Sequence, residues 1–213
     1  DKRLISKRIK YFSKRLEKVH KQHDLGRKSR RKKDLPMISL AGYTNAGKST
    51  LFNTLTSGGA WAHDQLFATL STRIERWELG GGVGAMLSDT VGFVRRLPHH
   101  LVASFRSTLE ETVNCQLLLV IVDAADPAAE HQLQTVEKTL DEIGAIDQPR
   151  ILVLNKIDCV KELAERLVLT SMYPEAVQLS AKTREGVEAL DNEVRSFVVG
   201  PMCKVALSLE TSA

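Results

Sequence analysis

Apolar and polar residues alternate along most of this chain in two patterns, which predict strands and helices in turn. Short, nearly continuous apolar runs, typical of strands buried on both faces, occupy residues 37–41, 116–122, 151–154 and 176–179. Segments with apolar residues three or four positions apart indicate amphipathic helices at residues 48–55, 101–113, 128–143, 159–169 and 186–199. This alternation predicts an α/β fold, with a mostly parallel sheet covered by helices on both faces.

Two further strand-like runs, at residues 73–79 and 84–89, are separated by a glycine cluster at residues 80–82. Such a short glycine connection predicts a hairpin, which adds one antiparallel strand at the edge of the sheet. The cluster lacks phosphate-loop spacing and no helix follows it, so a plain turn is favoured. Residues 204–209 read as one more strand, and we expect residues 201–213 to begin a further C-terminal segment.

The first 34 residues follow a different pattern from the rest of the chain. Their apolar positions are spaced by three and four residues, as in a coiled-coil seam, at Ile5, Ile9, Phe12, Leu16, Val19 and His23. The spacing predicts a helix from about residue 4 to residue 25, which loses regularity at Gly26. No later segment offers a matching seam, so we expect the partner helix to lie upstream of Asp1. Residues 27–33 then form a basic linker to a main domain at residues 35–200.

Charge is divided unevenly between these two parts. Residues 1–34 contain 15 lysines and arginines against 4 acidic residues, whereas the remaining residues contain 15 against 22. The overall charge of +4 therefore combines a basic arm of +11 with an acidic body of −7. A dense positive charge favours a polyanionic partner such as nucleic acid, and a solvated helix face is the alternative.

Composition narrows the class of protein. A hydrophobic content of 43% with 26% charged residues is ordinary for a globular domain. No apolar run approaches the roughly 18 residues that a bilayer span needs, so we expect no membrane span. The three cysteines are far apart and form no C-x-x-C pair, which argues against a disulfide framework and favours a cytoplasmic setting. We also expect a monomer.

The strongest motif is the sequence GYTNAGKS at residues 42–49, which matches G-x-x-x-x-G-K-[ST] between a predicted strand and a predicted helix. Its glycines allow backbone N–H groups to turn around phosphate oxygens at a helix N-terminus. We expect Lys48 to reach the β- and γ-phosphates and the Ser49 hydroxyl to ligate Mg²⁺.

Two other segments are expected around the γ-phosphate. The sequence DTVG at residues 89–92 ends a predicted strand, so Asp89 is placed to hold Mg²⁺ through water, and the Gly92 N–H is placed to sense the phosphate. Between the two motifs, a threonine from the loop containing QLFATL must complete the Mg²⁺ shell. Thr69 is the first choice, and Thr72 is the second because it lies close to the next strand.

Guanine recognition is predicted from two motifs that follow later strands. In NKID, residues 155–158, Asp158 can accept hydrogen bonds from N1–H and the 2-amino group of guanine, a donor pair that adenine lacks. Lys156 can lie along the base, and Asn155 can join this loop to the phosphate loop. In SAK, residues 180–182, a backbone N–H can reach guanine O6. The order of these motifs predicts a site for GTP or GDP.

Several segments together resemble one family, the HflX GTPases: GYTNAGKSTLFN, DQLFATL, LSDTVGFVRRLPHHLVASFRSTLEET, IVDAADP, LNKID and SAK. The resemblance covers residues from about 5 to 199. It implies a P-loop GTPase that binds the large (50S) ribosomal subunit and its RNA and takes part in splitting, rescuing or assembling ribosomes. It also implies an N-terminal domain before the basic helix and a C-terminal subdomain that begins near residue 201.

The complete set of residues expected at the site follows from these motifs. The catalytic candidates are Lys48, Thr69 and Gly92, and the Mg²⁺ ligands are Ser49, Thr69 and Asp89. The nucleotide is expected to contact Gly42, Tyr43, Thr44, Asn45, Ala46, Gly47, Lys48, Ser49, Thr50, Phe67, Ala68, Thr69, Leu70, Ser71, Asp89, Thr90, Val91, Gly92, Asn155, Lys156, Ile157, Asp158, Ser180, Ala181 and Lys182.

How hydrolysis proceeds is left open by the sequence, because Phe93 stands where Ras-like enzymes carry the glutamine that orients water. A regulatory GTPase with a slow intrinsic rate is one hypothesis, and an RNA-binding module with a structural nucleotide is the other. Asn45 is a candidate for holding K⁺ near the phosphates, against the alternative that it only hydrogen-bonds within its loop. A small-molecule kinase is disfavoured by NKID and by the lack of a lid segment.

Overall fold

The computed structural model describes residues 35–56, 73–90, 112–160 and 162–200. The side chains of residues 163–166 are not described. The predicted basic helix, the loop containing Thr69, the segment from Val91 to residue 111 and the predicted strand at 204–209 lie outside these ranges.

Six strands form one sheet, in the order β2-β3-β1-β4-β5-β6. All neighbouring pairs are parallel except β2 with β3, so the predicted mostly parallel sheet with one antiparallel hairpin is confirmed. The strands are β1 Met37–Gly42, β2 Arg73–Glu78, β3 Gly84–Asp89, β4 Leu117–Asp123, β5 Arg150–Asn155 and β6 Val177–Gln178.

Four α-helices are assigned within the described residues: α1 Lys48–Leu55, α2 Ala129–Glu142 and α3 Leu163–Met172 lie between strands, and α4 Val187–Val199 follows the last strand. The helix predicted at residues 159–169 is present, but it begins four residues later and ends three residues later than predicted. A 3-10 turn at Ile157–Cys159 comes first, and α3 begins only after Glu162, which is extended. Lys156, the residue before the 3-10 turn, has a left-handed backbone with a φ of 64°.

The apolar strand runs divide their side chains between two cores, one on each face of the sheet. In β4, Leu117, Leu119 and Ile121 pack with α1 and α4, whereas Leu118, Val120 and Val122 pack with α2. Successive side chains of a strand point to opposite faces, so a continuous apolar run is what a strand covered on both sides requires.

The antiparallel strand β2 is fixed to the body by one large side chain. Trp77 is almost fully buried, and its indole N–H donates to Asp191 of α4 at 3.1 Å. The remaining polar side chains of β2 form ion pairs along the strand, Arg73 with Glu75 and Arg76 with Glu78. Burial raises the pKa of the Asp191 carboxyl, although the Trp77 hydrogen bond acts in the opposite direction.

Parallel order brings the carboxyl ends of β1, β3, β4, β5 and β6 to one edge of the sheet, where ligands of open α/β sheets bind. The phosphate-loop, DTVG, NKID and SAK motifs follow β1, β3, β5 and β6 in turn. Among the described helices, none combines the length and the apolar character that crossing a bilayer demands.

Candidate nucleotide-binding site

The phosphate loop approaches its neighbours so closely that only glycine fits at two positions. Gly42 has a φ of 155°, and a Cβ there would collide with the backbone carbonyl oxygen of Ile121 in β4. Gly47 has a φ of 91° and precedes α1, and a Cβ there would collide with the Asn155 amide. The loop is therefore held against β4 on one side and against the end of β5 on the other.

Left-handed backbone marks the loops around this site. Among the described residues, three that are not glycine have a positive φ: Asn45 at 64°, Lys156 at 64° and Arg184 at 67°. They lie in the phosphate loop, in NKID and just after SAK. Such backbone is costly for residues with a Cβ, and it concentrates where loops must adopt a defined shape for a ligand.

Lys48 is folded back over the phosphate loop, where it is buried. Its Nζ donates to the Tyr43 carbonyl at 2.8 Å. Burial lowers the pKa of Lys48 to about 8, and the nearby Asp89 carboxylate partly opposes this shift. An ammonium group that pays this desolvation cost is compensated when phosphate oxygens enter the loop.

Ser49 and Asp89, two of the predicted Mg²⁺ ligands, lie in direct contact. The Ser49 hydroxyl donates to the Asp89 carboxylate at 2.7 Å, and Asp89 is completely buried at the end of β3. Hydroxyl and carboxylate oxygens suit Mg²⁺, which takes few protein ligands and completes its shell with phosphate and water. Within the described part of the chain, no group of three His, Cys, Asp or Glu residues gathers to form an all-protein metal cage.

Asn155 connects three loops through one buried side chain. Its Nδ2 donates to the Ala46 carbonyl of the phosphate loop at 2.9 Å, and its Oδ1 accepts from the Ala181 N–H at 3.0 Å. The predicted tie between NKID and the phosphate loop is thus present, and a second tie to SAK accompanies it. The amide therefore fixes the base loops relative to the phosphate loop.

Lys156 and Asp158 lie on the solvent side of the same loop. The Lys156 ammonium pairs with Asp123, the last residue of β4, at 2.7 Å. Asp158 is exposed, and a hydrogen bond from Ser180 is the largest cause of its lowered pKa. The carboxylate is therefore kept ionised, which is the acceptor state that guanine donors require.

Thr54 of α1 makes two hydrogen bonds that hold the SAK loop and the residues after it in place. The Thr54 hydroxyl donates to the Ala181 carbonyl at 2.8 Å, and the Arg184 guanidinium donates to the Thr54 carbonyl at 3.2 Å. The Ala181 N–H donates to the Asn155 side chain and the Ser180 N–H donates to the Glu185 carbonyl, so both of these backbone donors have protein partners.

The remaining predicted site residues are partly buried in the sheet, partly exposed and partly outside the described residues. The Thr90 side chain is buried and its hydroxyl donates to the Leu40 carbonyl at 2.6 Å, so this side chain supports the sheet. Ile157 and Ala46 are buried beside the loops, whereas Asn45 is exposed. Residues predicted from the two γ-phosphate segments lie outside the described residues: Phe67, Ala68, Thr69, Leu70, Ser71, Val91 and Gly92.

Two residues near the site were missed by sequence reasoning. Asp123 pairs with Lys156, and Thr54 supports the SAK loop. A strand-terminal carboxylate was visible in the segment IVDAADP, but its partner 33 positions later was not. Thr54 looks like any polar residue on a helix, because its partner lies 127 positions away.

Comparison with known proteins agrees with this geometry. The sequence profile of the family described as 50S ribosome-binding GTPase matches residues 37–156. The GTPase HflX of Escherichia coli K12 is 43% identical over 210 residues, which are 98% of this chain and 49% of that protein. The GTPase HflX of Caldanaerobacter subterraneus subsp. tengcongensis is 42% identical over 89% of this chain and 43% of its own length.

A solved structure of a GTP-binding protein is similar to this chain in three dimensions. A GTP-binding protein from Sulfolobus solfataricus in complex with GDP superposes with a TM-score of 0.62 at 27% identity, covering 91% of this chain and 60% of that one. The chain spans about half the length of the curated relatives that it matches.

Proposed function

Because the chain belongs to the 50S ribosome-binding GTPase family, within which its curated relatives are HflX GTPases, we propose that it is a Mg²⁺-dependent GTP hydrolase. In this proposal the domain at residues 35–200 binds GTP, cleaves it to GDP and phosphate at a slow intrinsic rate, and associates with the large ribosomal subunit. The protein acts as a cytoplasmic monomer in splitting, rescuing or assembling ribosomes.

One observation carries the nucleotide part of this proposal: the Asn155 side chain holds NKID, the phosphate loop and SAK together. A guanine bound at Asp158 and phosphates bound at Lys48 then occupy positions fixed relative to each other. Preorganised donors and acceptors of this kind lower the cost of binding, because the loops need little ordering when the ligand enters.

The protein groups have distinct roles in the proposed reaction. Backbone N–H groups of the phosphate loop and the Lys48 ammonium bind the β- and γ-phosphates and stabilise the charge that develops on the leaving oxygen. Ser49 and Asp89 hold Mg²⁺, which supplies further neutralisation of that charge when bound. Thr69 and Gly92 are expected to contact the γ-phosphate and so to report whether GTP or GDP is present.

The base is proposed to lie between the NKID and SAK loops. Asp158 accepts from N1–H and the 2-amino group, and the aliphatic stem of Lys156 covers one face of the ring. Lys182 or a shared Ala181 N–H donates to O6. An adenine presents an amino group where guanine has O6, so it meets donors with a donor and is rejected.

The catalytic group that orients water is proposed to come from outside the motifs, because Phe93 has no hydrogen-bonding side chain. Activation by the large ribosomal subunit is the source that the family membership favours. K⁺ held by Asn45 is a second proposed contribution, and the exposed position of Asn45 leaves its side chain accessible to an ion.

The basic arm is proposed to contact ribosomal RNA. Its charge of +11 over 34 residues provides many lysine and arginine contacts for phosphates. Neutralising phosphates releases counterions, so this contact raises the affinity for the subunit without any need for base recognition.

Phosphate release from GTP, measured with and without purified large ribosomal subunits, tests the proposal. We expect a slow rate in the range of about 10⁻⁴–10⁻² s⁻¹ for the chain alone and a rate at least about tenfold higher with subunits. GTP bound without any turnover, with subunits present, would favour the RNA-binding module with a structural nucleotide. Replacing Na⁺ by K⁺ at constant ionic strength, in wild type and in Asn45→Ala, tests the contribution of the cation.

A further inference from the structure

An ion pair joins the ends of β4 and β5 at the edge of the sheet where the nucleotide site lies. Asp123 ends β4 and is the register partner of Asn155, so Lys156 follows directly beside it. The Lys156 ammonium lies 2.7 Å from Asp123 Oδ2, and the two side chains are only 29% and 15% exposed. The Ala124 N–H also donates to the Asn155 carbonyl at 2.8 Å. The loop after β4 therefore contacts the NKID loop through one backbone hydrogen bond and one charged pair.

The Asp123 carboxylate is held in place by its own loop. Its Oδ1 accepts from the Ala125 N–H at 3.1 Å, whereas Oδ2 is the oxygen that Lys156 contacts. The Asp123 carbonyl accepts from the Asp126 N–H at 3.3 Å, which closes the turn. Because one carboxylate oxygen is fixed by the backbone, the other is presented to the lysine in a single orientation.

The Lys156 side chain runs beside the phosphate loop. Its Cε lies 3.8 Å from the position that a Cβ on Gly47 would occupy. The left-handed backbone of Lys156 is costly for a residue with a side chain, and such cost concentrates at functional sites. A lysine without a partner samples many rotamers, whereas an ion pair at its tip favours one. Asp123 thus keeps the lysine stem next to the phosphate loop.

We propose that Asp123 is a positioning residue for nucleotide binding, which holds the Lys156 stem in the orientation that covers the guanine ring. The proposal rests on the GTP site proposed above and adds to it a residue that none of its motifs contains. Asp123 acts through Lys156 and does not itself need to touch the nucleotide. A lysine that is already ordered loses little rotamer freedom when the ligand enters, which raises affinity by about threefold to tenfold.

The sign of the expected effect separates positioning from simple electrostatics. Asp123 places a negative charge at the edge of the sheet that receives a polyphosphate. If its charge were all that mattered, removal of the carboxylate would raise the affinity for GDP and GTP, because like charges repel. Positioning predicts the opposite result, a lower affinity without the carboxylate.

Asp123→Asn in the full 213-residue chain tests the proposal. The amide has the same shape and keeps an oxygen for the Ala125 N–H, but it turns a donor toward the Lys156 ammonium. We expect the Kd for GDP and for GTP, measured by calorimetry, to rise about threefold to tenfold for both ligands. In turnover, KM should rise by the same factor with kcat unchanged, because a base contact is equal in the ground and transition states.

Thermal melts and a neighbouring variant control for damage to the loop. A partly exposed ion pair adds little to stability, so the Tm of Asp123→Asn should stay within about 3 °C of wild type. Asp126→Asn is the matched control, because it removes a carboxylate from the same loop. That carboxylate accepts from the Ala128 N–H and the Gln132 side chain and makes no contact with the NKID loop among the described residues. Its Kd for GDP should remain within about twofold of wild type.

A double-mutant cycle tests whether Asp123 acts through Lys156. Lys156→Met keeps most of the stem and removes the ammonium, so it is expected to weaken GDP binding. Adding Asp123→Asn to Lys156→Met should then change the Kd by less than about twofold, since the group through which Asp123 acts is already absent.

The possible results separate this proposal from the proposed GTP site. A wild-type chain that binds neither GDP nor GTP would overturn the site and the role of Asp123 with it. If wild type binds, an Asp123→Asn variant with equal or tighter binding would overturn only the role of Asp123. An equal loss from Asp126→Asn, or an undiminished loss in the Lys156→Met background, would likewise show that Asp123 does not position the lysine.

Discussion

At the scale of single residues, burial and local partners decide what each charged group can do. Asp158 is exposed yet kept ionised by Ser180, which suits hydrogen-bond recognition in a solvent-accessible site. Asp191 has the opposite situation, because burial disfavours its charge even though Trp77 donates to it. The first group is proposed to bind the base, whereas the second supports the packing of β2 against α4.

Asp158→Asn is expected to lower GTP affinity by about 10³-fold or more and to create a preference for XTP, because the amide can donate to the xanthine 2-carbonyl. Calorimetric titration with GTP, XTP and ATP measures the change. Asp147→Asn, an exposed residue before β5 and far from its carboxyl end, is the matched control. Unaltered GTP binding by the Asp158 variant would remove this carboxylate from base recognition.

Asp191→Asn is expected to stabilise the protein near neutral pH, because the amide keeps an acceptor for Trp77 and removes a disfavoured charge. The pKa of Asp191 is raised in the folded state, so the wild-type stability contribution falls as pH rises from the ordinary value through the raised one. Thermal melts at pH 4 and pH 7 measure it. The Tm advantage of the variant should grow with pH and stay within about 3 °C.

At the scale of elements, the site is assembled by contacts between loops that follow different strands. Gly47 and Asn155 fit together so closely that no side chain is tolerated at the glycine. The phosphate loop, the base loop and the SAK loop therefore form one unit, although they are more than a hundred residues apart at their extremes.

Asn155→Ala is expected to lower the Tm by about 4–12 °C, because two buried backbone groups lose their hydrogen-bond partner. Each loss lowers the free energy of unfolding by about 1–3 kcal/mol, and relaxation of the loops recovers part of it. GTP affinity should fall as well. Asn192→Ala removes an exposed asparagine that contacts Arg195 on α4, and it serves as the control with an unchanged Tm. A Tm equal to that of wild type would show that Asn155 does not hold the loops together.

Much of this arrangement was predictable from local signals. The glycine spacing before Lys48 and the NKID motif each reflect chemistry that is confined to a few adjacent residues, and the HflX resemblance and the α/β fold are confirmed. The Lys156–Asp123 pair, the support from Thr54 and the late start of α3 were not predictable. Each depends on which loops the order of strands in the sheet brings together. That order is set by residues far apart in the sequence, so no local motif indicates it.

At the scale of the whole molecule, the chain combines a basic arm with an acidic body, of net charge +11 and −7. The charges of the body are distributed over an α/β domain whose nucleotide site depends on local contacts. Binding of RNA and binding of GTP should therefore be separable, even though the arm and the domain belong to one chain.

Removal of residues 1–34 is expected to weaken binding to large ribosomal subunits and to leave GTP affinity within about twofold of the intact chain. Each lost phosphate contact should reduce the slope of log affinity against log salt concentration by about 0.7–0.9. Co-sedimentation over a salt series measures the slope for both chains. Identical slopes would mean that the arm makes no phosphate contacts.

The outermost strands of the sheet have a consequence for the protein in concentrated solution. The β2 edge carries two arginines and two glutamates, which form ion pairs along the strand, and the β6 edge is two residues long. Charged or very short edges are poor templates for backbone pairing with another chain. Within the described residues, neither end of the sheet invites β-strand addition, so this architecture resists amyloid-like growth even when many copies are crowded together.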